Sequence, residues 1–249
     1  YYRSFAWYGA VDKKFGDAHQ IGFVLFSTPG QRGAQNASTQ EVYDLMGDNM
    51  YNSNWGYQNG RVRNSRVRKT NEPIAILKYD YPPSDRFQSS ATLLYRFGKN
   101  GYTAIDYYDQ SSPSADYYRN LPSYFYDTNT DLNRQNFEKY AWAKEVWSHS
   151  SDYPSLTHLD WDRMYAANRL QGTGSGDARS KFVQEERHVD QRDLNFAASF
   201  KARPSDNVVL TGGVDAKVNR TENYKIVADL LGGDYYINID NFAERDFAY

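Results

Sequence analysis

The feature that most constrains this chain is a period-two alternation of apolar and polar residues, repeated in segments along its length. Between Leu194 and Ala202 every second residue is apolar, and the run from Val208 to Val218 largely repeats the pattern after the turn Arg203-Pro204-Ser205-Asp206. Alternation of this kind predicts antiparallel strands that carry one apolar and one polar face. Two such strands joined by a tight turn predict a β-hairpin.

The same pattern, weaker in places, predicts six strands and an all-β fold. The expected strands cover residues 3–10, 19–27, 73–81, 89–98, 178–202 and 207–226. The connections between them alternate strictly between short and long, and the long ones cover residues 28–72, 99–177 and 227–249. Because successive turns of a meander lie at opposite ends of a sheet, all the long connections are expected at one end.

Two architectures have strands of this kind. A transmembrane antiparallel β-barrel turns its apolar strand faces toward lipid and has short periplasmic turns and long extracellular loops. A soluble antiparallel β-sandwich has the same alternation but turns the apolar faces inward. The gathering of the long loops at one end favours the barrel, as does the length of loop 99–177, which is unusual inside a compact domain.

Composition narrows the classes of function. The chain has 29 Lys and Arg against 31 Asp and Glu, and this balance disfavours a nucleic-acid partner. The absence of Cys excludes a disulfide scaffold, a zinc-thiolate site and a Cys nucleophile. No apolar run approaches the roughly 18 residues of a membrane helix. Aromatic residues reach 16%, which is too high for a disordered chain.

Five segments, in order along the chain, resemble extracellular-loop segments of TonB-dependent outer-membrane receptors of the Bacteroidetes type. They are residues 40–68, 108–126, 158–169, 183–200 and 229–247. The resemblance implies a 22-stranded transmembrane β-barrel that is filled by an N-terminal plug and energised by the inner-membrane TonB complex. Six strands are too few to close a barrel, and the plug domain and the barrel ends are absent from this sequence. We therefore expect an internal segment of the β-barrel domain of a longer chain.

The resemblance also implies the function and its setting. The expected protein is a transporter or receptor in the bacterial outer membrane that takes up a nutrient ligand, and it is not an enzyme. The expected partners are the TonB complex, reached through the missing N-terminal region, the lipid bilayer and lipopolysaccharide, and a surface lipoprotein lid or a larger outer-membrane complex. The alternative is a soluble β-sandwich that binds or hydrolyses carbohydrate.

The long loops carry the candidate ligand-binding residues. Aromatic residues next to arginines can stack on a sugar or a peptide, and a basic run can attract an anionic ligand. The candidates are Trp55, Tyr57, Arg61, Arg63, Tyr117, Tyr118 and Arg119. Each has a structural alternative, in which the aromatic residues pack the loops together and the arginines stay in water. Residues 131–148 predict a short helix within the long loop, with Asp131 as its N-cap.

No catalytic or metal-binding residues are expected, and no cofactor. The four histidines form no paired ligand spacing, and no serine lies in a GxSxG sequence. Carboxylates are plentiful, but the sequence does not place two of them across a cleft, as a glycosidase requires.

Overall fold

The computed structural model describes residues 1–107, 110–127, 134–170, 178–240 and 245–246. Asp131, the expected N-cap of the loop helix, lies outside the described residues. The chain divides into two compact units. The strand unit comprises Tyr1–Arg32, Arg68–Tyr102 and Arg187–Lys225, and the loop unit comprises Gly33–Val67, Thr103–Glu186 and Ile226–Tyr249.

Antiparallel β-structure dominates the described residues, which confirms the all-β character expected from the alternation. The strands are β1 (Tyr2–Ser4), β2 (Trp7–Phe15), β3 (His19–Ser27), β4 (Gly30–Gly33), β5 (Trp55–Gln58), β6 (Arg61–Asn64), β7 (Val67–Asn71), β8 (Ile74–Ser84), β9 (Phe87–Arg96), β10 (Lys99–Asp106), β11 (Val183–Ser205), β12 (Val208–Asp229), β13 (Ile239–Asp240) and β14 (Arg245–Asp246). The helices are α1 (Gln40–Met46), α2 (Pro122–Asp127), α3 (Arg134–Ser148), α4 (Pro154–Thr157) and α5 (Trp161–Arg169). None of these helices has the length and apolar character needed to cross a membrane.

The main sheet is a meander. β2 pairs with β3, β3 with β8, β8 with β9 and β9 with β11, each time antiparallel, and β12 pairs with the other side of β11. The connections inside this meander are short after β2, β8 and β11 and long after β4 and β10. Within the described residues the sheet is open, because no strand pairs with the outer side of β2 or of β12.

Short breaks divide the longer strands of the meander at matching positions. Pro29 separates β3 from β4, and Pro73 separates β7 from β8. Proline has no N–H to donate to a strand ladder, so it interrupts the pairing. The carbonyls of Pro29 and Pro73 still accept hydrogen bonds from the N–H groups of Phe5 (3.2 Å) and Phe97 (3.1 Å), which keeps the neighbouring strands joined across the breaks.

The strand boundaries differ from the sequence expectation mainly within the expected loops. The expected strand 19–27 coincides with β3, whereas the expected loops 28–72 and 99–177 contain β4, β5, β6, β7 and β10. Segments such as Arg66-Val67-Arg68-Lys69 carry polar residues on both faces and therefore give no period-two signal. The strand expected over 178–202 begins at Val183 and continues to Ser205.

The apolar side chains of the strand unit form a row that crosses five strands. Val11 is the register partner of Phe23, Phe23 of Leu77, Leu77 of Leu93, and Leu93 of Phe196. All five side chains are exposed, between 39% and 62%. Leu194, Tyr95, Val208, Leu210 and Val214 are exposed as well.

The buried side chains of the strand unit are polar. Among its described residues no apolar side chain is buried, whereas Ser27, His188, Asp190 and Asp193 are. A soluble domain buries its apolar side chains and exposes its polar ones. The strand unit has the reverse arrangement.

The loop unit is organised in the ordinary way, around two small apolar clusters. One contains Val42, Tyr51, Ala115, Leu121 and Trp147. The other contains Leu159, Trp161, Met164 and Leu231. The helix α3 packs with Ala143, Val146 and Trp147, while Phe137, which the sequence places on the same apolar face, is exposed.

Candidate functional site

The loop unit contains a cavity of about 920 Å³ that lies between α3, α5 and the irregular segment 110–120. None of the described residues that line it belongs to a strand. Trp147 holds one wall in place, because its indole Nε1 donates a hydrogen bond to the carbonyl of Asn120 (3.2 Å). Ala143, Val146 and Met164 complete an apolar floor.

Aromatic rings form much of the rest of the wall. Tyr107, Tyr117, Phe125 and Trp142 all line the cavity. Trp142 is half exposed and packs edge-on against Tyr153, with 5.3 Å between the ring centroids. Rings held in this way offer flat apolar surfaces to a ligand.

Two guanidinium groups also line the cavity. Arg119 follows Tyr118 on a 3₁₀ turn, and its Nε donates a hydrogen bond to the Tyr118 hydroxyl (2.9 Å). Arg163 lies in the first turn of α5 and is exposed. Asp160 is the cavity's carboxylate, and it serves as the N-cap of α5 by accepting a hydrogen bond from the N–H of Arg163 (2.9 Å). Among its described lining residues the cavity therefore has two cations against one carboxylate that also caps a helix.

His158 contributes an imidazole to the cavity wall. Burial lowers its pKa, so the ring is neutral at pH 7. Its Nδ1 lies 3.2 Å from the hydroxyl of Thr157, and its ring lies 4.2 Å from the ring of Trp55. Trp55 thus supports the cavity wall from behind without lining the cavity.

The structure places some of the sequence-predicted residues at the cavity and others away from it. Tyr117 and Arg119 line the cavity. Tyr118 lies beside it, edge-on to Tyr117, with 4.7 Å between the centroids. Tyr57 packs edge-on against Trp55 at 5.6 Å and is half exposed, and Arg61 is exposed on β6.

Arg63 lies in a different environment, in which its guanidinium is bonded to internal partners. It donates hydrogen bonds to Gln184 (2.6 Å) and Asp229 (2.7 Å), and to the side chains of Gln58 and Tyr165. Its guanidinium carbon lies 4.0 Å from the ring centroid of Trp161. These contacts join β6 to α5 and to the ends of β11 and β12, so Arg63 stabilises the loop unit.

The charge on Asp229 is kept by the same contacts. Burial raises the pKa of this carboxyl group, but the hydrogen bonds from Arg63, from the N–H of Leu231 and from Tyr165 outweigh burial, so its pKa lies below the usual value. Asp229 is therefore ionised throughout the neutral range.

Sequence reasoning did not identify His158, Arg163 or Trp142 as site residues. The segment 158–169 is one of the five that carry the resemblance, but the sequence does not indicate that His158 and Arg163 lie near Tyr117 and Arg119. Only the packing of α3 and α5 brings these residues together.

A second polar cluster lies in the strand unit, on the face opposite to the exposed apolar row. The ring of His188 stacks on Tyr224, with centroids 4.6 Å apart, and the hydroxyl of Tyr224 donates to Asp190 (2.7 Å). Arg96 forms an ion pair with Asp193. Among the described residues, no three or more His, Cys, Asp or Glu side chains come together in a group that could hold a metal ion.

Comparison with known proteins adds no assignment. No family model matches the chain, and neither a curated protein nor a solved structure matches it.

Proposed function

We propose that this chain is part of the transmembrane β-barrel of a TonB-dependent outer-membrane receptor, and that the receptor takes up a nutrient ligand. The observation that carries the proposal is the exposed apolar row from Val11 to Phe196, which crosses five strands of a unit whose buried side chains are polar. Apolar side chains face lipid and polar ones face the lumen in a membrane barrel.

The strand lengths support this proposal. β2 and β3 have 9 residues each, and β9 has 10. A tilted membrane strand needs about 9–11 residues to cross the hydrocarbon. Aromatic residues lie on both sides of the exposed apolar row. Tyr79 is one of them, and its hydroxyl lies 2.7 Å from Nδ1 of His19. Tyr95, which stacks on Phe97, is another. Aromatic girdles are usual at both membrane interfaces.

The open edges of the sheet are a further reason to assign the chain to a larger barrel. Hydrocarbon does not tolerate unpaired strand edges. In our proposal, other strands of a 22-stranded barrel pair with the outer sides of β2 and β12. The long connections then lie outside the cell, and they carry the ligand site. Ligand binding by these loops precedes passage through the lumen, which the TonB complex drives.

The soluble β-sandwich is less well supported. It requires a second layer that covers the apolar row, and the residues of that row are 39% to 62% exposed. Burying apolar surface is the main stabilising term of a soluble fold, and the strand unit lacks it.

Fractionation of cells that express the full-length protein tests the membrane assignment. We expect the protein in the outer-membrane fraction, extracted only by detergent, and with a different mobility in SDS before and after boiling. Recovery of a folded, monodisperse protein from the soluble fraction would contradict the assignment.

Growth assays test the transport assignment separately. A strain lacking the gene is grown on single limiting nutrients, each an oligosaccharide, a peptide or an iron chelate. We expect a growth defect on one nutrient class, and the same defect after removal of TonB. Restoring the gene in a strain that lacks TonB should leave the growth defect unchanged, because the proposed uptake needs energy from the TonB complex. Full rescue of growth in that strain would contradict energised uptake.

A further inference from the structure

The cavity of the loop unit combines three kinds of chemistry on one surface. It has aromatic rings at Tyr117 and Trp142, guanidinium groups at Arg119 and Arg163, and a run of hydroxyl groups that includes Ser111 and Ser112. We propose that this cavity binds an anionic oligosaccharide, whose sugar rings carry carboxylate or sulfate groups.

The size of the cavity indicates an oligomer. Small-molecule sites range from about 300 to 1,000 Å³, and a cavity of about 920 Å³ lies at the upper end of that range. A single sugar ring fills only a small part of it. Several linked rings can contact the apolar floor and the polar rim at the same time.

The wall chemistry indicates sugar rings. Flat aromatic faces at Tyr117 and Trp142 match the apolar C–H faces of a pyranose. The hydroxyl groups of Ser111 and Ser112 match the ring hydroxyls, since each of these side chains can donate or accept a hydrogen bond. A peptide that binds by strand addition needs a strand edge, and no described lining residue lies in a strand.

The charges indicate that the sugar is anionic. Arg163 is exposed at the cavity, and among the described residues its guanidinium has no acceptor. Arg119 donates its Nε hydrogen bond to Tyr118, and among the described residues its terminal nitrogens have no acceptor. Guanidinium groups bind carboxylate and sulfate oxygens through paired, charge-assisted hydrogen bonds. Asp160 caps α5 and keeps its negative charge, so the described lining residues carry two positive charges against one negative charge.

This inference rests on the proposed uptake function for its biological meaning, but its test measures binding alone. The full-length protein in detergent is titrated by calorimetry with tetragalacturonic acid and with the methyl ester of the same tetrasaccharide. The two probes share their rings and differ in charge. We expect at least tenfold tighter binding of the acid, and a loss of that difference in high salt. A chondroitin sulfate tetrasaccharide is compared with the unsulfated chondroitin tetrasaccharide, which has the same carboxylates, and the difference in affinity measures what the sulfate groups add.

Variants place the binding in the cavity. R163Q and R119Q are each expected to weaken binding of tetragalacturonic acid by tenfold or more while changing binding of the ester less than twofold. R61Q is the matched control, because Arg61 is an exposed arginine of the same unit outside the cavity. We expect it to bind the acid like the unmodified protein.

Several outcomes would overturn the inference. Equal affinity for the acid and its ester would remove the role of charge, and this comparison needs no variant. Tighter binding of tetraglutamate or of a ferric chelate than of either acidic sugar would assign the cavity to another ligand. Loss of binding in R61Q but not in R163Q would move the site to β6. None of these results bears on the membrane location, which the fractionation tests independently.

Discussion

Leu93 and Phe196 are direct register partners on β9 and β11, and their side chains are 39% and 40% exposed. Thr92 lies next to Leu93 along the strand and points to the opposite face, because successive residues of a strand alternate. It pairs with Lys78 on β8, so a charged residue shares that face. The two neighbours Leu93 and Thr92 therefore report on the two faces of one sheet.

Site-directed labelling at these two positions tests which face meets lipid. The chain has no Cys, so L93C and T92C each introduce a single thiol into it, and any Cys elsewhere in the full-length protein is first replaced by Ser. With a nitroxide label on the full-length protein in lipid vesicles, we expect position 93 to collide more with oxygen than with an aqueous nickel chelate, and position 92 to do the reverse. A label at 93 that is open to the nickel chelate would contradict a lipid-facing row.

A charge placed on the apolar row should be costly only in a membrane. We expect L93R to lower the free energy of unfolding in lipid vesicles by about 2–4 kcal/mol, the range for a cation near the bilayer midplane. In a soluble domain an exposed Leu replaced by Arg changes stability by no more than about 0.5 kcal/mol. Urea unfolding measures the difference. T92R is the control, and a larger loss in T92R than in L93R would reverse the assignment of the faces.

Gly98 is required by the break between β9 and β10. Its φ is +145°, and a Cβ at this position would lie 2.0 Å from the carbonyl oxygen of Asn71. We expect G98A to destabilise the sheet by about 1–3 kcal/mol, measured by urea unfolding. G9A is the control, because a Cβ on Gly9 meets no atom within 4 Å. Equal unfolding curves for the two variants would show that the break tolerates a side chain.

Much of the strand unit could be predicted from the sequence, because the alternation that marks a strand is a local property. Apolar residues repeat at every second position in β9 and β11, and β3 is apolar on both faces, so the exposed row follows once the strands pair. The polar strands β7 and β10 could not be predicted, since a strand with polar residues on both faces has no alternation to detect.

The cavity could be predicted only in part. Tyr117 and Arg119 lie close together in the sequence, so the sequence alone predicts that they line the same site. His158 and Arg163 approach them through the packing of helices that are distant along the chain. The partners of Arg63 come from several separate segments of the chain, so the sequence around Arg63 does not predict its structural role.

Loss of the Arg63 side chain should loosen the loop unit. R63M leaves Asp229 and Gln184 without their strongest donor. Because both members of the ion pair are partly exposed, at 23% and 32%, we expect a loss of about 1–3 kcal/mol rather than the larger penalty of a fully buried pair. Hydrogen exchange of the loop unit measures this loss. R61M is the control and should change protection little, and equal effects of R61M and R63M would contradict the role given to Arg63.

The same variant should change how the loop unit responds to acid. The pKa of Asp229 is lowered in the folded state, so its ionised form stabilises the fold above the unfolded pKa of about 3.9 and this stability is lost as the pH falls below that value. We expect R63M and D229N to weaken the dependence between pH 5 and pH 2. An unchanged dependence in both variants would assign it to other carboxyl groups.

His158 should make the cavity wall sensitive to mild acid. Burial lowers its pKa below the usual value of about 6.5, so the unfolded chain takes up a proton at a higher pH than the folded one, and stability falls as the pH drops below about 6.5. We expect amide protection around Thr157 and Leu159, corrected for intrinsic exchange, to decrease between pH 7.5 and pH 5.5. H158Q keeps a neutral side chain and should make protection independent of pH in this range. H149Q is the control, because it alters an exposed histidine of the same unit and should keep the pH dependence of protection. Loss of the pH dependence in H149Q but not in H158Q would assign the effect to His149 and contradict the role of His158.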